Sequence, residues 1–335
     1  MRALVVGVLV VGACGSHGAA GTSDAANPAD VAAIADGAAP DGAASWSWQS
    51  LVAESWTAPA PSYNLNCAQI PITQEMWIDG FRPAAGMGAG NDHQIALVTQ
   101  VATPDGDCSS RPLEDGDQLI YASGLGSNEE LRLPAGTAVH LVPGTAAQPN
   151  YVMLYSHVSN ETGATLTGTS GVDVHVVADP TTVAHDVDMI LGGQAAFNVP
   201  DDDAAHVVPA LCSPAAAAGY QWHLVAVWPH MHESGTHATI TIEDASLTPI
   251  TTVLDTDYSY ANEQFYPAND ALVDTGDTIA FQFTMQNAGA KALTYNELLP
   301  ESVGYTLDWA GIYKYPTGDD ASSGAHGPEA CVRGL

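Results

Sequence analysis

"WHLVAVWPHMHESGTHATITIED", residues 222–244, decides how the chain is read. An apolar run of strand length ends in Pro229-His230-Met231-His232. The polar turn residues Glu233-Ser234-Gly235 follow, and "THATITIED" then alternates Thr with Ala and Ile as a returning strand would. Successive side chains of a strand point to opposite faces, so His230 and His232 share one face and Met231 takes the other. Two imidazoles on one face can share a metal ion, and neutral nitrogen ligands suit copper or zinc. The spacing alone is equally that of two surface residues. His223 has the opposite parity and is expected to face away.

The same texture extends in both directions. "HQIALVTQVA" (93–102), "QLIYASG" (118–124), "AVHLVPG" (138–144), "NYVMLYSHVS" (150–159) and "GVDVHVVADP" (171–180) are short apolar runs broken by turn residues. "DVDMILGG" (186–193), "TIAFQFTMQ" (278–286) and "WAGIYKY" (309–315) continue the pattern, and no long helical period occurs. The chain is expected to be all-β, with two tandem antiparallel β-sandwich domains of jelly-roll type over residues 59–180 and 181–320, and a tail over 321–335.

Before them, Arg2 and the apolar run "ALVVGVLVVGA" read as an export signal too short to span a bilayer. Val11-Gly12-Ala13-Cys14 resembles a bacterial lipobox, which would make Cys14 the lipid-bearing residue and place the protein in the cell envelope, at the periplasm or outer surface; a plain secretory signal is the alternative reading. Residues 15–58, rich in Ala, Gly, Asp and Pro, read as a disordered tether. Acidic residues outnumber basic ones 38 to 7, for a formal charge of −31. Nucleic acid is therefore not an expected partner, and membrane contact is expected only through the anchor.

With Cys14 set aside, Cys67, Cys108, Cys212 and Cys331 remain, which suits two disulfides in an exported protein and leaves three pairings open. Pairing Cys67 with Cys108 and Cys212 with Cys331 puts one bridge in each half. The consecutive carboxylates of Asp201-Asp202-Asp203 lack the spacing of a calcium loop and read as a solvated linker. His140 and His175 read as plain strand residues.

Four pieces taken in order — "AVWPHMHESG" (226–235), "DYSYANEQFYP" (257–267), "VDTGDTIAFQFTMQN" (273–287) and "WAGIYKYP" (309–316) — resemble the C-terminal domain of the copper type II, ascorbate-dependent monooxygenases. "YNLNCAQIPI" (63–72) and "IDGFRPAAGMGAGNDHQIAL" (78–97) resemble, more faintly, the N-terminal domain of the same family. The resemblance covers residues 62–317. It implies two copper sites facing each other across a cleft, ascorbate or another reductant as co-substrate, and hydroxylation of a C–H bond in a small or peptide-like substrate with O₂.

Carried over by position, the resemblance puts His230 and His232 at the oxygen-activating copper. His93 and His157, with Asp92 in place of a third histidine, fall at the electron-relay copper. The family's methionine ligand aligns near Leu307 or Val303, and no methionine follows Met285. Met231 faces the wrong way, and His237 is a candidate replacement if it lies opposite His232. The partner that the family gives the cysteine aligned with Cys67 falls near Thr169, so Cys67 pairs with Cys108 or stays free. Trp228 stands where the family's peptide hydroxylase has a substrate-binding arginine, so a peptide carboxylate is not an expected ligand. The incomplete ligand sets equally fit a protein that keeps the scaffold and binds copper, or a surface partner, without catalysis.

Overall fold

A computed structural model of the chain describes residues 47–84, 90–108, 111, 116–124, 130–160, 162–194, 197–213, 221–289, 292–294, 308–317 and 330–333. The export signal, Cys14, most of the expected tether, Val303 and Leu307 lie outside them, as does most of the tail. The protein is all-β. Its ordered elements are strands, with a single 3-10 turn at Pro180–Thr182 among the described residues.

Residues 48–186 form two sheets. The first runs in the order Trp48–Ala58, Leu166–Val176, Met76–Pro83, Thr137–Leu141, His185–Asp186, and Leu131–Arg132 also pairs with Met76–Pro83. The second runs Gly106–Asp107, Ser62–Pro71, Tyr151–Asn160, Asn91–Thr99, Gln118–Gly124. Residues 188–333 supply the rest. The third sheet is Tyr266–Val273, Gln221–His230, Asp308–Thr317, Asp188–Gln194, Ala330–Arg333, and the fourth is Ala205–Cys212, Thr278–Gln286, Gly235–Glu243, Pro249–Asp257. A small ribbon joins Asn198–Val199 to Leu293–Thr294. Pairing is antiparallel except where His185–Asp186 meets Thr137–Leu141 and where Ala330–Arg333 meets Asp188–Gln194.

The third sheet explains the near-continuous apolar run of Gln221–His230. Both of its faces are buried, so neither parity is left polar. Trp222, Leu224, Val227, Ala310 and Ile312 face the fourth sheet in one core. Met189, Leu191, Trp228, Trp309 and Tyr313 share a second core with the first two sheets. An irregularity between Leu224 and Ala226 resets the alternation, so that both Leu224 and Val227 enter the first of these cores.

Two boundaries differ from expectation. Trp48–Ala58 was expected in the tether but is an edge strand along Leu166–Val176. Leu51, Val52, Trp56 and Ala58 are buried, and Trp56 Nε1 donates to Ser170 Oγ at 3.0 Å. Few apolar side chains separated by Ala, Ser and Thr carry that strand, so composition hides it. The first pair of sheets also extends past 180, because His185–Asp186 still pairs with Thr137–Leu141.

Cys67 and Cys108 are joined, 41 residues apart. Closing that loop in the unfolded chain is worth about 4 kcal/mol in the chain-entropy model. Cys212 is also in a disulfide, and the side chain of Cys331, its expected partner, lies outside the described residues.

Candidate metal centre

The central strands of the second sheet carry one half of the centre. His93, on Asn91–Thr99, stands opposite His157 on Tyr151–Asn160 and opposite Gly124 on Gln118–Gly124. A register shift between Asn91 and His93 brings Asp92 in beside His93, with Asp92 Oδ2 3.4 Å from His93 Nδ1. The other half sits where Gln221–His230 ends. His230 and His232 come together with ring centroids 4.8 Å apart, while Met231 enters the opposite core beside Gly235. The parity argument thus holds for all three residues.

The two halves meet directly. His93 lies 3.9 Å from His157, 4.5 Å from His230 and 6.1 Å from His232, centroid to centroid. The expectation of two sites separated by a cleft is therefore corrected: the rings of the two halves touch. Five donors are gathered from residues up to 140 positions apart, and each is at most 6 % exposed. They form two trios, His93-His230-His232 and Asp92-His93-His157, within each of which the donor atoms lie within 4.8 Å of one another.

Hydrogen bonds leave specific nitrogens free for a ligand. His230 Nδ1 lies 3.0 and 3.1 Å from the two oxygens of Glu263, and His230 Nε2 is buried without a partner. His157 Nδ1 is engaged by the Tyr63 hydroxyl at 2.7 Å, which leaves Nε2 as its remaining ring nitrogen. His93 Nδ1 is buried and has Asp92 Oδ2 at 3.4 Å, without a well-formed hydrogen bond. Buried imidazole nitrogens without partners are rare and costly unless a ligand satisfies them. A metal ion does so, and nitrogen with one carboxylate is a donor set suited to copper or zinc.

Electrostatics favour the ligand forms. Burial, aided by neighbouring imidazoles, holds His157, His230 and His232 well below the usual histidine range, so all three are neutral with lone pairs available. Burial alone would raise Asp92, but His93 and the Tyr260 hydroxyl outweigh it and keep the carboxylate ionised. Burial raises Glu263 well above the carboxylate range, opposed by its contact with Tyr258.

One segment, absent from the expected site, supports the centre from outside. Tyr260 donates to Asp92, linking the two halves. The Tyr258 hydroxyl accepts the Met231 N–H at 3.0 Å and reaches the Glu263 carboxyl at 2.9 Å. Glu263 packs against Gly124, where a Cβ would come within 2.1 Å of its Oε2. These side chains lie in "DYSYANEQFYP", and a fully buried acid there is a signal the sequence carries only as a lone Glu between turn residues. Trp228 stacks on His230 at 5.2 Å and 14°, and Trp309 lies 5.2 Å from it, forming an apolar wall.

Met231 and Met285, the methionines considered as ligands, both sit in the core between the third and fourth sheets. His237 does not replace them. It is partly exposed and pairs with Asp255 at 2.7 Å and Asp257 at 3.0 Å, because the bulge between Gly235 and His237 turns it toward the edge strand Pro249–Asp257. His140 stacks on Trp77, His175 contacts Asp79, and His223 contacts Asp270, all away from the centre.

No protein-family model matches the chain, and no curated protein matches it. Among solved structures, one of infectious bursal disease virus Gx strain aligns at 11 % identity and TM-score 0.23, over 84 % of this chain and 74 % of that one. The ANX2 ectodomain from Arabidopsis thaliana aligns at 8 % identity and TM-score 0.23, over 83 % and 92 %. A putative secreted protein from Parabacteroides distasonis aligns at 8 % identity and TM-score 0.18, over 82 % and 84 %.

Proposed function

We propose that the chain is an exported copper-binding redox protein on the scaffold of the copper type II, ascorbate-dependent monooxygenases, anchored through Cys14. The scaffold is two tandem β-sandwiches, a reading supported by the division of sheets between residues 48–186 and 188–333. The observation that carries the reading is the convergence of His93, His157, His230 and His232 with Asp92, with His230 Nε2 buried and unpartnered. Bound copper supplies one-electron redox cycling and, as Cu(I), reactivity toward O₂.

The chain's own residues prepare that centre. Glu263 fixes the His230 ring so that Nε2 faces inward, Tyr63 holds His157 through Nδ1, and Tyr260 orients Asp92. Trp228 and Trp309 exclude water from one side. Ascorbate or another external reductant then serves as electron donor, and the substrate is small or peptide-like.

A second reading, copper binding without hydroxylation, is favoured by the absence of Met231 and Met285 from the cluster and by the burial of every donor. Copper retention after desalting, compared between the wild type and His230→Ala, tests the shared claim; a wild type that retains none ends both readings. Ascorbate-driven O₂ uptake above a free-copper control supports the monooxygenase. Retention without uptake supports the binder.

A further inference from the structure

Four donors surround one ring. His93 belongs to both trios, and no larger set of donors falls within 4.8 Å among the described residues. Ligand bonds of about 2.0–2.1 Å allow donors on one ion to be no more than about 4.2 Å apart. A small closure brings either trio within that limit. The union of the two trios is not such a set, so a single ion does not take all five donors.

An imidazole has two ring nitrogens on opposite sides, each able to bind a metal once the ring has lost its N–H proton. His93 Nδ1 faces Asp92 at 3.4 Å without a well-formed hydrogen bond. Apart from His93, the two trios share no donor: Asp92 and His157 come from the second sheet, His230 and His232 from the end of Gln221–His230 and just beyond it.

Resting on the copper reading above, we propose that His93 is a bridging ligand: its ring, as imidazolate, joins two metal ions, one held with Asp92 and His157 and the other with His230 and His232. The family resemblance implies two separate coppers without a common ligand; here one side chain belongs to both. Binding the second ion takes the remaining ring proton of His93 and releases it to solvent. The negative ring and the Asp92 carboxylate offset part of the positive charge that two buried cations bring. One bridging ring also couples the ions electronically.

The test is a Cu(II) titration of the purified full chain, read by bound copper per chain and by integrated electron paramagnetic resonance intensity. The bridge requires two coppers per chain with intensity well below the sum of two isolated ions. His157→Ala should then retain one copper with the full intensity of an isolated ion, and His93→Ala should lose the coupling altogether. Two coppers with additive intensity, or one copper in the wild type, overturns the bridge while leaving copper binding intact. No bound copper overturns the underlying reading instead. If His93→Ala fails to fold by circular dichroism, the wild type and His157→Ala still decide.

Discussion

Replacing Gly124 with alanine separates the support of the centre from its ligands. The added Cβ would lie 2.1 Å from Glu263 Oε2, 2.4 Å from its Cδ and 2.7 Å from its Oε1. The carboxyl has nowhere cheap to go, because it is fully buried and held by His230 and Tyr258. Overpacking of this kind costs about 1–3 kcal/mol. Displacing the carboxyl also leaves His230 Nδ1 and Glu263 without partners, at about 1–3 kcal/mol for a buried group. The sum is about 2–4 kcal/mol after partial relaxation, or a melting temperature lower by about 4–8 °C for a body of this size. Copper affinity should fall about 10–100-fold, since the carboxylate orients a ligand it does not replace. Calorimetry gives the first quantity and a competitive chelator titration the second. Glu263→Ala in the same chain should remove most of the added cost, so the two changes will be strongly non-additive. Unchanged melting and copper affinity in Gly124→Ala would refute the claim that Glu263 is wedged there and holds His230.

Three further outcomes follow from other parts of the molecule. Cys67→Ser with Cys108→Ser should lower stability by about 4 kcal/mol in the chain-entropy model, and a denaturant midpoint unchanged from the oxidised wild type would count against that model here. His237 is held above its ordinary value by Asp257 and Asp255; its raised folded pKa gives stability that is present below about pH 6.5 and lost as pH rises through the folded value. In Asp255→Asn with Asp257→Asn, nuclear magnetic resonance titration should show His237 titrating lower, and no change would refute the pairing. Glu54 is pushed up to about 7, by burial first and Asp105 among the rest, against a contact with Ser156. Its ionisation in the folded state therefore weakens folding as pH rises from the ordinary carboxylate range through about 7. Glu54→Gln should be more stable than wild type at pH 8 and equal to it near pH 4, and equal stability at both pH values would contradict the shift.

The β class and the position of Met231 opposite His230 and His232 were legible because strand alternation is local. The pairing of His93 with His157 was visible only through a family resemblance, since register between residues 64 positions apart is set by the whole sheet. Direct contact between His93 and His230 depends on how the second sheet meets the third, which no local pattern encodes. Glu263, Tyr258 and Tyr260 were not legible for a related reason: they lie outside regular strands, where side-chain direction has no period to read. His237 was misplaced by a bulge, a one-residue insertion that reverses every parity beyond it. The edge strand Trp48–Ala58 was lost to composition, because its buried Trp56 and Val52 are diluted by small polar neighbours.

The double burial of the third sheet has a consequence for dissecting the chain. A fragment ending at Asp186 would expose Tyr121 where Phe265 now covers it, and a fragment beginning at Asp188 would bare Trp228, Trp309 and Tyr313. Uncovered aromatic surface of that extent drives aggregation. Neither half is then a self-sufficient folding unit, and heat should melt residues 48–317 in one cooperative step, so that His93, His157, His230 and His232 assemble only once both halves of the chain have been made.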